Sequence, residues 1–310
     1  MEKRTPISSF KRVFTMKKEK IIKIIVTVVF LASIGTNLYF VLNSNNYDSM
    51  VQYLQTPQQM KIVYSGILKN HEQFREGENV EIVYDFDSEE YATLLEKYPI
   101  KEIAGDGSEY ERAFRLMNEY APRLNHHSNF DNSVEMTALS LLEYGLDQPG
   151  RGINCRCKTQ VLNEMLLALG IYSRKVWIMP ESVYDDECHV VNEVWDTSLN
   201  KWVMMDITSN IYWVNEGGKP LSVLEIRQLV ANQEFCTPVY YGDNCSDLKK
   251  SLNNNYGLYL YYLKNLVYTG YCDTMTVGES EKVYSLLPEN KPVEEQMILI
   301  SESAVTASPE

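Results

Sequence analysis

The hydrophobic pattern predicts a helix whose first turn carries a cysteine. Val161, Leu162, Met165, Leu166 and Leu169 recur at helical spacing, with Asn154 a good N-cap before them and Gly170 a good C′ residue after them. The run Gly152-Ile153-Asn154-Cys155-Arg156-Cys157-Lys158 opens that helix. Cys155 therefore stands where unpaired backbone N–H groups and the helix dipole favour a thiolate over a thiol.

Upstream, Val80 to Phe86 fits a strand, Ser88 caps a helix to Tyr98, and Ser108 caps a second helix carrying Phe114, Leu116 and Met117. Asn132-Ser-Val-Glu135 reads as the capping box of a third helix, closed by Gly145. Downstream the pattern changes to strand. Arg174 to Pro180, Cys188 to Trp195 and Lys201 to Asp206 are β-branched or aromatic runs, and the short turn Asp196 to Asn200 makes the last two an antiparallel hairpin. Ser222-Val-Leu-Glu225 starts another helix, and the tyrosine-rich stretch Tyr256 to Tyr271 alternates as one or two strands.

The apolar run Ile21 to Leu42 is a different kind of segment. It holds 22 residues with one charge, Lys23, and at ~1.5 Å per residue it spans a ~30 Å hydrocarbon core. The bulky end Leu38-Tyr39-Phe40-Val41-Leu42 offers no small-x-small cleavage site, so the run reads as an uncleaved transmembrane helix. Lys3, Arg4, Lys11, Arg12, Lys17, Lys18 and Lys20 precede it, which keeps the N-terminus cytosolic and places the bulk of the chain outside. The expected order is a basic tail over 1–20, the membrane helix over 21–42, a polar stalk over 43–78, a folded domain over 79–290 and a flexible tail over 291–310.

Composition sharpens this picture. Apolar residues make up 45% of the chain and charged ones 23%, ordinary values for a globular protein. Positions 1–42 hold 8 basic and 2 acidic residues out of totals of 29 and 42, which leaves 21 against 40 beyond them, a net of −19. Such acidity makes the outer domain a poor partner for nucleic acid or anionic lipid surfaces, which would repel it, and accounts for its charge as a solubilising one. Six cysteines are too sparse for a disulfide scaffold, and a bridge among Cys236, Cys245 and Cys272 stays open.

The candidate chemistry is thiol acyl transfer. Cys155 at a helix start, His189 on a strand and Asp206 on the next supply a nucleophile, a base that takes its proton, and an acid that orients the imidazole. His189 shares a strand face with Val191 and Glu193, whereas Cys188, Val190 and Asn192 point the other way. Glu193 or Asp196 is an alternative acid. The Cys155 backbone N–H is an oxyanion donor, with Gln148 as a side-chain candidate and Asn192 and Glu193 as secondary site residues. His126-His127 reads as a surface loop or a cleft wall. A rival use of the same residues is a zinc module built on Cys155, Cys157, Cys188 and His189, against which stands the divergence of such adjacent side chains.

Three ordered blocks then carry a resemblance. Asn154-Cys155-Arg156 with Leu166 to Arg174, His189-Val-Val-Asn192-Glu193-Val194, and Lys201-Trp202-Val-Met-Met-Asp206-Ile-Thr208 resemble the core of the transglutaminase-like superfamily, and Ile103 to Tyr144 resembles the helical flank of its extracytoplasmic bacterial members. The resemblance implies a papain-like α+β fold, with the nucleophile at a helix N-terminus packed on an antiparallel sheet. It implies Cys155 as nucleophile, His189 as base and Asp206 as acid, a protein, peptide or cell-wall substrate, and no metal or organic cofactor. The acceptor is water, giving a protease or amidase, or an amine, giving a cross-link. An inactive, binding-only version of the fold is the alternative. The chain departs from the family at Ile207, where proline usually follows the acid.

Overall fold

Residues 18, 20–36, 39, 57–147, 150–182, 184–185, 187–240, 248, 252, 255–278 and 282–309 are described by a computed structural model. The chain divides into two units, Met1–Gln59 and Met60–Glu310. In the first, residues 20–36 form an apolar, exposed helix. Among the described residues no helix is long and apolar enough to cross a membrane, and positions 37, 38 and 40–42 of the expected span lie outside them.

In the second unit the β-branched and aromatic runs do form strands. Among the described residues an eight-stranded sheet runs from edge to edge through 298–299, 283–286, 268–272, 173–179, 189–196, 201–206, 211–215 and 236–240. Its centre is β4 (Ser173–Met179), β5 (His189–Asp196) and β6 (Lys201–Asp206), antiparallel as the alternation and the Asp196 turn require. Asp196 fixes that turn by accepting hydrogen bonds from Ser198 Oγ and Leu199 N–H, and Asn200 takes the left-handed conformation (φ 51°) that Asn tolerates. Beyond it lie β7 (Ile211–Asn215) and β8 (Cys236–Tyr240), and on the other side β9 (Tyr268–Cys272), β11 (Val283–Leu286) and β12 (Ile298–Leu299). Among the described residues four short strands stand apart from this sheet: β1 (Val83–Tyr84) pairs with β10 (Thr274–Met275), and β2 (Asn125–His126) with β3 (Gly152–Ile153).

Strand parity sorts the core into two layers. Val194, Val203 and Met205 pack with Val161, Leu162, Met165 and Leu166 of the cysteine helix, together with Phe114, Leu116 and Met117 of the helix Glu109–Tyr120. Val191, Met204 and Trp213 face the opposite layer, with Ile226, Tyr259 and Tyr262. Among the described residues from 57 onward, the helices are numbered in order: α1 Pro57–Asn70, α2 Glu89–Lys97, α3 Ile100–Ala104, α4 Glu109–Tyr120, α5 Ala138–Asp147, α6 Cys155–Leu167, α7 Val223–Ala231, α8 Tyr256–Asn265 and α9 Glu302–Thr306.

Four expectations are corrected. The stretch Tyr256 to Tyr271 is a helix followed by a strand, because Tyr259, Tyr262 and Leu263 bury one helical face. The stalk does not extend to residue 78, since Leu68 on α1 is fully buried in the domain core. Residues 291–310 are not a loose tail over their described part: α9 packs Val305 into the core, Arg174 donates to the Val305 carbonyl at 2.7 Å, and Trp202 Nε1 donates to Ala307 at 3.0 Å. The third helix starts at Ala138, not after Asn132, which has a left-handed φ of 54°, and runs through Gly145 to Asp147. Its first amide, of Ala138, is capped instead by the Glu164 carboxylate of α6 at 2.9 Å.

Arg174 and Glu193 face each other across the β4–β5 ladder and form a buried ion pair, with contacts of 3.0 and 2.6 Å to one Glu193 oxygen. The other oxygen accepts the Val223 N–H at 2.8 Å, and the guanidinium stacks 3.9 Å from the Trp202 ring centroid. Removing one partner strands a buried charge, so Arg174→Met should cost about 3–5 kcal/mol in urea unfolding. Lys97→Ala, which removes the exposed Lys97–Glu143 pair, should leave the urea midpoint unchanged.

Candidate active site

The site begins with the anchoring of α6. Asn154 is extended (φ −77°, ψ 175°), and its Oδ1 accepts the Cys157 N–H at 3.0 Å, a cap worth about 1 kcal/mol. At the far end Gly170 takes φ 71° and the Ile171 N–H returns to the Leu166 carbonyl at 2.9 Å, the reversal that glycine permits. Laterally, Thr159 Oγ1 donates to the Val190 carbonyl at 3.1 Å, and Asn192 Nδ2 donates to the Thr159 carbonyl at 3.1 Å. One turn before Thr159, Cys155 is thus held beside the start of β5.

His189 is the first residue of β5 and Asp206 the last of β6. The ladder pairs Asn192 with Met205, so the next step sets Asp206 opposite Val191, diagonal to His189 on the same face. His189 Nε2 and Asp206 Oδ2 lie 3.0 Å apart. The oxygen lies off the ring N–H axis, so the contact is an ion pair rather than an in-line hydrogen bond. Cys155 adjoins the same imidazole by a side-chain hydrogen bond and receives a backbone hydrogen bond from Val190.

Electrostatics follow from this packing. Burial alone would keep the His189 imidazole neutral, but the Asp206 charge and the Cys155 sulfur outweigh it and raise its pKa to about 10. Burial would likewise raise Asp206, yet the charge of His189 beside it and hydrogen bonds from Tyr262 and Ser209 hold it well below the usual carboxylate range. For Cys155, burial raises the thiol and His189 with the Val190 amide more than reverses it, so the net shift is downward. The arrangement can hold a thiolate–imidazolium pair at neutral pH.

The other sequence candidates are placed elsewhere. Gln148 lies outside the described residues. Asn192 serves the α6 anchor, Glu193 serves Arg174, and Asp196 serves the hairpin turn. Cys157 faces Asn132 Oδ1 at 3.7 Å and Met136 Sδ at 3.4 Å, so the two helix thiols do not converge on one position and do not form half of a zinc site. His127 packs on Gly152, where a Cβ would come within 2.7 Å of its ring. His126 is exposed on β2, and its pKa is lowered first by partial burial, then by the charges of Lys158 and His189. At Ile207 the turn is kept without proline, because Asp206 Oδ1 accepts the Thr208 N–H at 2.8 Å.

Sequence reasoning missed Tyr262 and Tyr261. Tyr262 Oη donates to Asp206 Oδ2 at 2.5 Å, and its ring meets the His189 ring edge-on at 5.9 Å. Tyr261 meets the same imidazole edge-on at 5.8 Å. Both stand on α8, so reading that stretch as strand hid the spacing that brings them over the site. Lys158 was also missed as a buried cation. Burial brings it down to about 8 against the pull of Asp206, and its Nζ donates to the Ala121 carbonyl at 3.3 Å.

Two cavities of 320 and 460 Å³ lie along α9, both walled by Arg174 and Trp202 and neither by Cys155 or His189, so the side-chain geometry locates the chemistry.

Residues 99–207 match the model of the transglutaminase-like superfamily, and this span contains Cys155, His189 and Asp206. The chain thus carries a transglutaminase-like domain on a mixed helix-and-sheet fold. A solved structure from Cytophaga hutchinsonii, described as a candidate cysteine protease, shares 16% identity over 50% of this chain and 50% of its own, with a TM-score of 0.32. Among curated proteins nothing matches.

Two measurements check the site. His189, raised to about 10 in the folded chain against an ordinary ~6.5, stabilises fully below about 6.5 and loses that contribution as pH rises through about 10. The melting temperature of the wild type should therefore fall more steeply between pH 7 and 10 than that of His189→Gln. Tyr262→Phe removes a donor to a buried carboxylate and should cost about 1.5–3 kcal/mol in chemical unfolding.

Proposed function

We propose that this chain is a thiol acyl transferase or hydrolase in which Cys155 is the nucleophile, His189 the general base and acid, and Asp206 the group that orients and charges the imidazole. The observation that carries the reading is the meeting of a helix-start thiol, an imidazole and a buried carboxylate at one end of β5 and β6. The family match over 99–207 supports the same chemistry.

The Cys155 thiolate attacks an amide carbonyl of a peptide bond or a glutamine side chain. The negative charge that develops on oxygen is met by the Cys155 backbone N–H at the helix start. His189 gives its proton to the leaving amine, and a thioester remains. Water or an amine then attacks the thioester while His189 takes up its proton, the acyl group is released, and Cys155 leaves as the thiolate of the restored thiolate–imidazolium pair. All proton traffic passes through one imidazole, and the chemistry uses only side chains and backbone of this chain. The run 21–42 anchors the protein by a single pass, with the N-terminus cytosolic and the acidic domain outside, where a protein, peptide or cell-wall polymer is the substrate.

Two experiments test the reading. A glutamine-containing peptide incubated with and without a primary amine should give hydrolysis or cross-linked product with wild type and Cys157→Ala. With Cys155→Ala the rate should fall by about 10³ or more, and activity retained by that variant overturns the proposal. Iodoacetamide at neutral pH should label Cys155 at least about tenfold faster in wild type than in His189→Ala. For topology, protease added to intact cells should remove the C-terminal domain, and full protection sinks the outward orientation.

A further inference from the structure

Cys188 is a thiol beside the proposed site that has no part in the proposed reaction. It immediately precedes His189 and is exposed. By strand parity its side chain belongs with Val190 and Asn192, on the face against which α6 packs. The α6–β5 contacts run in step: Thr159 meets Val190 and Asn192, and one turn back Cys155 receives the Val190 amide. Two residues back along the strand, ~7 Å, comes Cys188. Partial burial raises the Cys188 pKa first and the Cys155 charge second, with Arg156 opposing, in keeping with this placement.

The β4–β5 ladder ends at the pair Ile178–His189, so Cys188 lies just outside it. A disulfide requires Cα atoms within about 7 Å, a demand that a residue not tied into the ladder can meet. The remaining described cysteines face elsewhere: Cys157 meets Asn132 and Met136, Cys236 lies in the core with Trp213 and Tyr259, and Cys272 lies with Leu167 and Met275.

We infer that Cys155 and Cys188 are a modification site, in which Cys188 resolves the oxidised nucleophile as a reversible disulfide. The oxidant is a hydroperoxide. The Cys155 thiolate attacks the terminal peroxide oxygen, the O–O bond breaks, and the leaving alkoxide or hydroxide takes a proton, leaving Cys155 as sulfenic acid. The Cys188 thiol then attacks that sulfur, the S–O bond breaks, and water leaves. Overall two thiols are oxidised to one disulfide and the hydroperoxide is reduced to an alcohol, or to water if it is hydrogen peroxide. The bond blocks the nucleophile and protects it from irreversible over-oxidation.

The inference rests on a reactive thiolate at Cys155, though not on what that thiolate acylates, and the test separates the two. Full-length protein, reduced and then treated with hydrogen peroxide, is alkylated and mapped by mass spectrometry. The expected product is a Cys155–Cys188 cross-linked peptide, about 2 Da lighter than the two thiols. Iodoacetamide labelling of Cys155 should be lost in step with it and regained with dithiothreitol. In Cys188→Ser, the reduced protein should label at the wild-type rate, but peroxide should drive Cys155 on to the sulfinic acid, about 32 Da heavier and not recovered by dithiothreitol. A wild-type Cys155 that labels rapidly yet reaches sulfinic acid as fast as in Cys188→Ser, or that pairs with Cys157, overturns the inference. Slow labelling of Cys155 in reduced wild type instead overturns the nucleophile reading beneath it.

Discussion

A carboxylate without solvent contact is costly to bury unless donors surround it, and Asp206 has no exposure at all. The charge is met by Tyr262 Oη from α8, by the Thr208 N–H just past β6, and by His189 from β5. Besides the turn after its own strand, both β5 and α8 must be in place before the acid can be charged where it stands. The imidazole depends on that charge for its proton, and the Cys155 thiolate depends on the imidazole. The reactivity of the thiol is therefore a property of the assembled sheet and α8, not of the cysteine helix alone.

The same constraint explains which acid serves His189. Glu193 shares the histidine's strand face, and sequence alone left it as a rival to Asp206. In the ladder, however, Glu193 stands directly opposite Arg174, whose guanidinium occupies one of its oxygens while the Val223 amide occupies the other. A carboxylate engaged on both oxygens is held in place by those donors, and the imidazole ~13 Å further along the strand is out of its reach. Asp206 is diagonal to His189 and reaches it at 3.0 Å. One face of β5 thus carries two buried ion pairs, one stacked on Trp202 beneath α9 and one beside Cys155.

What was legible in the chain were the features set by local rules. Asn154 and Gly170 bound α6 because cap geometry is local, and β4 to β6 follow from alternation and a turn. The tyrosines of α8 were misread because tyrosine suits strands by propensity. Tyr259 and Tyr262, three apart, bury one face only once the sheet is there to receive them. The cap of α5 comes from Glu164, 26 residues further on, a contact that no reading of Asn132 to Glu135 could supply. The C-terminal segment is polar by composition, yet Arg174 and Trp202 bind its carbonyls and Val305 enters the core. Each miss is a long-range partner overriding a local preference.

The cap of α6 also bears on the chemistry at its start. Asn154 Oδ1 takes the amide of Cys157, the third of the helix, while its Nδ2 donates to Asn132 Oδ1 at 3.2 Å. Both ends of the capping amide are thereby committed away from the first amide of the helix, that of Cys155. A first-turn N–H has no partner within its own helix and points out along the axis. An aspartate cap would place a full negative charge there, opposing both the thiolate and the oxyanion of an acyl-transfer step; the neutral asparagine holds the helix start without that repulsion. The residue that fixes the helix end is thus of the kind that leaves its electrostatics available to the nucleophile it precedes.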